Sequence, residues 1–364
     1  MQLNELIHFF EKEYPLQLQE DYDNCGLQIG DTSLSIHGIL VSLDCSEAVV
    51  KEAIEHNCNL IICHHPLLFN GLKQIGASSY VERVVRMCIK NDIAVYAIHT
   101  NLDNHPEGVN AEIGRRIGLM NTKILAPKTN TLYKLSVYTP KDALEALDAA
   151  IFKAGGGGIG NYTECHFRQE GIGTFTPGVL ANPTSGTIGE RSQESELKVE
   201  YLVDSQHLPH VLKAMNESHP YEEVAHDIIL LKNQDTRYGA GLIGELETPC
   251  EEMAFLAQLK KIFNSKGIRH TKLITKPIKK VALCGGSGSF LTKDAIHSGA
   301  DCYITSDVKY HEFFDADERI LLIDIGHYES EQYTSTLLIE KIKENFTNFA
   351  VRLSETNTNP INYL

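Results

Sequence analysis

The stretch Lys51–His65, KEAIEHNCNLIICHH, aligns without gaps to Lys293–Asp307, KDAIHSGADCYITSD, at a constant offset of 242. Each copy reads as an amphipathic helix, a turn, a short β-branched apolar run, and polar residues where that run ends. Each is preceded by another such run with a polar or glycine-rich end, VSLDCS in one case and ALCGGSGS in the other. A run ending in histidine also recurs, as VYAIHTNLD and LLIDIGHYES. Helices alternating with buried strands predict a mostly parallel sheet, so the class is α/β with a duplicated outer domain. A cleft between two such halves is a natural place for a site.

Working outward, strands are expected over His37–Leu43, Asn59–Cys63, Ile93–Ile98, Lys280–Cys284, Asp301–Thr305 and Ile320–Ile325. Helices are expected over the amphipathic N-terminal stretch MQLNELIHFFEKEYP, over Ser46–Asn57 with Ser46 as N-cap, and over Tyr328–Asn345. The polar tail from Ser354 reads as irregular.

The middle differs. From Thr131 to Leu231 the order is strand (LYKLSVYT), helix (Lys141–Ala154), strand (NYTECHF), a long Gly/Pro/Ser/Thr loop, strand (ELKVEYLV), helix (Gln206–Ser218) and strand (VAHDIILL). That is β-α-β-β-α-β, the split plan of ferredoxin-like modules. The run Gly155–Gly160, GGGGIG, follows a helix and so reads as a helix stop and turn; a phosphate loop needs a strand before it and a helix after it. The expected organisation is one discontinuous α/β domain, residues 1–127 plus 236–364, interrupted by an α+β insert over 128–235.

The 364 residues carry 33 basic and 48 acidic side chains, a formal net charge of −15. Such a surface repels phosphate backbones and anionic lipid, which argues against nucleic-acid and membrane-surface partners. It leaves room for a small anion, because a metal ion reverses a local field. Nine cysteines, none in a C-x-x-C pair, read as reduced and mostly buried thiols. No apolar run approaches the roughly 20 residues of a membrane span. The expectation is a soluble, cytoplasmic chain.

Three strand ends carry candidate chemistry. His64-His65-Pro66 follows NLIIC, and ligands in open α/β sheets bind beyond the carboxyl ends of strands. Successive strand residues face opposite ways, so both imidazoles reach one site only if the chain bends there. His99, Asn101 and Asp103 follow the next strand, and His327 and Glu331, four apart on a helix start, share one face. Taken singly, each admits a plainer reading as surface histidine, helix cap or solvated helix start. Together, three histidines and two carboxylates exceed what one structural zinc site needs and suit a dinuclear centre of Zn²⁺, Mn²⁺ or Fe²⁺. One distribution has Glu331 bridging, with His64 and His327 on one metal and His65 and Asp103 on the other. Asp44, His99, Asp307 and His311 lie near the same strand ends as possible supporting or acid/base groups, with caps and solvated polar groups as the competing reading. Cys63 and Cys302 fit core strand positions rather than nucleophiles.

The motifs DNCGLQIGD, HHPLLF, HTNLD, TSDVKYHEF and GHYESE, in this order, resemble the NGG-interacting-factor-three-like family, whose members are catalogued as GTP cyclohydrolase I type 2 homologs or dinuclear metal-centre hexameric proteins. The resemblance spans both outer segments. It implies metal ligands at His64, His65, Asp103, His327 and Glu331, two divalent ions per subunit, and a toroidal homohexamer with the sites facing an internal cavity. The middle segment, with SHPYEEV at Ser218–Val224, resembles the PII/CutA-like insertion of longer bacterial members. Two functions remain open. One is a metal-dependent hydrolase acting on a nucleotide or related small molecule, with His99 or His311 moving protons. The other is a metal-dependent regulatory ring whose PII-like module senses a ligand without turnover.

Overall fold

The computed structural model describes residues 1–347 and 349–364. The chain divides into two compact units, Met1–Pro127 with Thr236–Leu364, and Lys128–Asp235.

The first unit holds two sheets. One has five strands in the order Gly26–Ile29, Ala94–Ala97, Leu60–Cys63, Ile39–Ser42, Val351–Leu353; all neighbours are parallel except the first pair. The other has six, in the order Arg269–His270, Leu321–Asp324, Cys302–Ser306, Ile278–Ser287, Asp235–Cys250, Met120–Lys128. Its three central strands, Ile278–Ser287, Cys302–Ser306 and Leu321–Asp324, run parallel. The repeat is therefore structural: Leu60–Cys63 and Cys302–Ser306 occupy matching places in the two sheets. Each central strand is buried on both faces, which explains its near-continuous apolar sequence. One apolar cluster joins the faces of both sheets, with Phe10, Tyr96, Phe255 and Ile304 among its buried members.

Local chemistry places the helices. Ser46 adopts extended backbone and accepts a hydrogen bond from the Val49 amide, opening the helix Glu47–Glu55 as its cap. The expected helix Tyr328–Asn345 is instead two, His327–Glu331 and Thr334–Asn345. Gln332 stands at the break, and its side-chain amide donates to the carbonyls of Glu329 and Phe263 there. The segment from Ser354 onward has no regular structure.

The second unit is a four-stranded antiparallel sheet in the order His166–Phe175, Ser192–Asp204, Leu132–Pro140, His226–Leu230, with helices Leu144–Lys153 and Leu208–Ser218. That order and the β-α-β-β-α-β sequence make it ferredoxin-like. Its second strand starts later than the expected NYTECHF. Ile159 and Tyr162 bond to each other across a turn, so the chain folds back there before pairing begins at His166. The glycine run does end a helix, with Gly155 and Gly157 both at positive φ. Among the described residues no helix is long and apolar enough to cross a membrane.

Asp301 ties the second half of the repeat together. Its buried carboxylate accepts from the Lys279 and Lys280 amides, at 2.9 and 2.8 Å, and from the Lys276 ammonium. Burial opposes the ionised form, but Lys276 and the two amides outweigh it and hold the carboxyl below its usual range. A depressed folded-state pKa gives stability that is present above about pH 4 and lost as pH falls further. Asp301→Asn is expected to lower unfolding free energy by about 1–3 kcal/mol at pH 7. The loss should shrink toward pH 3, as read by denaturant titration at both values.

Candidate metal centre

The strand Leu60–Cys63 ends its ladder at Cys63, and the chain then turns. The amides of both His64 and His65 donate to one acceptor, the Leu43 carbonyl, at 3.0 Å each. This shared acceptor breaks the strand alternation and brings two adjacent imidazoles to one side; their ring centroids are 4.9 Å apart. Asp103 arrives from the short helix Thr100–Asp103 beyond the neighbouring strand, and His327 and Glu331 from the helix His327–Glu331 of the other half.

The five converge. Glu331 Oε2 lies 3.0 Å from Nε2 of both His65 and His327, and those two nitrogens are 3.2 Å apart. On the other side of the carboxylate, His64 Nε2 stands 3.6 Å from Asp103 Oδ1 and 3.9 Å from Glu331 Oε1. Three groups thus bring ligand atoms close enough to hold a metal ion, His64–Asp103–Glu331, His65–His327–Glu331 and His64–His65–His99, and the first two share Glu331. The pairing expected from sequence, His64 with His327 and His65 with Asp103, is not the one the backbone makes. His327 sits four residues before Glu331 on one helix and meets the outward imidazole, His65, whereas His64 turns inward to Asp103.

The outer hydrogen bonds fix the tautomers. His64 Nδ1 lies 2.7 Å from the Ile98 carbonyl, His65 Nδ1 2.8 Å from Asp44, and His327 Nδ1 2.6 Å from Asp307. A carbonyl or carboxylate only accepts, so each Nδ1 carries a proton and each Nε2 is the ring nitrogen left facing inward, able to take a proton or a metal ion. This is how metal-bound histidines are held. His64 Nε2 and Asp103 Oδ1 are moreover buried without a hydrogen-bond partner, a costly arrangement that a cation between them resolves.

Electrostatics agree. Burial disfavours charge on His65, yet Asp44 and Glu331 outweigh it and lift the imidazole to about 10. At His327 burial is outweighed by Glu331 and Asp307, and the value rises to about 11. Burial also opposes ionisation of Glu331, but His327, His64 and His65 hold its carboxyl well below the usual range. Asp103 is pushed upward, chiefly by burial, with Glu331 adding to the push. The centre draws positive charge, and the donor set suits divalent ions.

Residues outside the five sort clearly. His99 faces the same centre, its ring 5.2 Å from His64, and its Nδ1 lies 2.8 Å from the buried Asp23. Burial works against Asp23 ionisation, but His99 and Thr100 keep its carboxyl low. Asn101 turns away and donates to the Tyr14 carbonyl. His311 is exposed and stacks on Phe314, with its ring also near Tyr310; the structure does not bring it to the centre. Cys63 and Cys302 are fully buried, and burial pushes both thiols up.

Sequence reasoning gave no role to Asp23, Glu329 or Gly286. The DNCG motif flagged the first only as part of a resemblance. Gly286, at φ +60°, is needed because a Cβ there would stand 2.2 Å from Glu331 Oε1. A glycine-rich strand end, ALCGGSGS, was the available signal.

A two-half α/β fold with a buried histidine–carboxylate cluster between the halves defines the class. The chain belongs to the Duf34/NIF3 (NGG1p interacting factor 3) family, whose model matches residues 1–360. It is 37% identical to a Staphylococcus epidermidis protein named GTP cyclohydrolase 1 type 2 homolog, over all of both chains. The structure matches that of a Bacillus cereus protein related to NIF3, with TM-score 0.82, 36% identity and coverage of 100% and 99% of the two chains. A Staphylococcus aureus structure follows at TM-score 0.78 and 31% identity, covering 100% of this chain and 99% of the other.

Gly286→Ala places a methyl group against the shared carboxylate and strains a left-handed backbone position. It is expected to reduce divalent-metal uptake at least tenfold by elemental analysis while thermal unfolding stays cooperative. Wild-type metal content in the folded variant would count against the centre as drawn.

Proposed function

We propose that this protein is a cytoplasmic, dinuclear metal-dependent hydrolase acting on a nucleotide or related small molecule. One ion would be held by His64, Asp103 and Glu331 and the other by His65, His327 and Glu331. The observation that carries the reading is the pair of buried, unpartnered ligand atoms, His64 Nε2 and Asp103 Oδ1, beside a carboxylate that faces three imidazoles. Two divalent ions at such a centre supply a nucleophilic water near neutral pH and polarise the bond to be cleaved. Zinc is the first choice for a set so rich in imidazole.

The chain's own residues supply the rest. Asp44 and Asp307 hold His65 and His327 in the tautomer that presents Nε2. His99 lines both cavities beside the centre, and Asp23 fixes its Nδ1 as donor, so Nε2 is the atom that accepts or returns a proton. Free cysteines throughout fit a reducing compartment. The toroidal homohexamer rests on the family resemblance, and light scattering of the purified protein tests it: a mass of six chains is expected, and a monomer would refute it.

A second reading, a regulatory ring without turnover, has one observation in its favour. The residues lining the two cavities beside the centre include no lysine or arginine, so no triphosphate clamp stands there. The deciding experiment incubates metal-loaded protein with GTP and a panel of nucleotides and phosphoesters. The hydrolase reading expects turnover that falls at least a hundredfold in His64→Ala and in Glu331→Ala. Background rates shared by wild type and both variants would favour the regulatory reading. His99→Ala is expected to lower turnover at least tenfold while metal content is retained, whereas His311→Ala should change neither.

A further inference from the structure

The segment that follows the strand Val351–Leu353 has no regular structure, yet polar contacts fix it along its length. The buried Glu52 carboxylate accepts from Ser354 Oγ at 2.6 Å, the Glu355 amide at 2.7 Å and Thr356 Oγ1 at 2.6 Å. Thr358 Oγ1 then donates to Asp44 Oδ2 at 2.5 Å, the same carboxylate whose other oxygen holds His65. Asn359 Nδ2 donates to Glu329 Oε1 at 3.3 Å, and Glu329 lies between His327 and Glu331 on their helix. The Asn359 side-chain oxygen Oδ1 accepts from the Ile361 amide at 3.0 Å and closes a tight turn around Pro360. One strap therefore touches both halves of the fold, at the Asp44 that holds His65 and at the helix that carries His327 and Glu331.

This strap brings apolar groups to a polar place. Pro360 and Ile361 line a cavity of about 410 Å³ together with Pro66 and Phe69, and His65, His99 and His327 line the same space. Ile361 and Phe69 remain 50% and 44% exposed, so apolar surface stands open beside the centre. Asp44 is the one carboxylate on that lining, and no lysine or arginine accompanies it. Such walls favour an uncharged body and disfavour an anionic one.

We infer that Asn359–Ile361 form the specificity wall of the centre, selecting ligands that pair a metal-binding polar head with a neutral aromatic or apolar body. The inference rests on the metal-centre reading above, and it names which part of the ligand the protein recognises without the ions. Thr358 and Asn359 hold the wall in place; Pro360 and Ile361 are the surface the ligand meets.

The test compares two probes with the same chelating head, acetohydroxamate and benzohydroxamate, titrated calorimetrically into zinc-loaded full-length protein. Wild type is expected to bind benzohydroxamate at least tenfold more tightly. A chain ending at Asn357 keeps all contacts to Glu52 but lacks the wall, and Ile361→Ser leaves every strap hydrogen bond in place. Both are expected to retain zinc and acetohydroxamate affinity while the preference drops below threefold. A preference that survives unchanged in both variants, or that is missing from wild type, overturns the inference and leaves the metal centre standing. Failure of wild type to take up zinc overturns the metal-centre reading and the wall with it.

Discussion

Everything at the centre depends on one buried carboxylate. Glu331 comes from one half of the fold and faces imidazoles from both, and a carboxylate in such a place is tolerated only when positive charge surrounds it. The second half accommodates it with a glycine where a side chain would collide. The first half meets it with adjacent histidines made to point the same way by a shared carbonyl. Removing any of these leaves a buried charge without partners, so the two halves are constrained by the chemistry as much as by their common apolar core.

The duplication clarifies the supporting shell. Asp307 occupies the repeat position of His65, and one is a carboxylate that orients an imidazole while the other is an imidazole oriented by Asp44. The two halves have kept the strand-end location and exchanged roles. His64 corresponds to Ser306, whose hydroxyl donates to the Gly286 carbonyl and braces the loop around Glu331. Both copies thus serve one site, one with ligands and the other with structure.

Much of this was legible in the sequence, and the limits follow from physics. Central parallel strands are buried on both faces, so NLIIC, DCYIT and ILLID announce themselves as apolar runs. Edge strands do not: His166–Phe175 is almost wholly exposed and reads RQEGIGT over most of its length, with no apolar alternation. Gly26–Ile29 and Val351–Leu353 are edges too, and with four and three residues they are too short to show a period. The five clustered side chains were named from their places after strands, but their grouping was not, because the shared Leu43 carbonyl is a backbone event without a sequence signature. Asp23 and Glu52 were missed for a related reason, since each acts on residues far along the chain.

The ferredoxin-like unit is spliced between Met120–Lys128 and Asp235–Cys250, which are neighbours in the six-stranded sheet. A chain that leaves on one strand and returns on the next opens no gap in its host, since the ladder between those strands closes the break. The inserted unit is in that sense a cassette. Its sequence could drift, or be exchanged for another, without asking the strands that carry His327 and Glu331 to change, so the two units are free to evolve at different speeds.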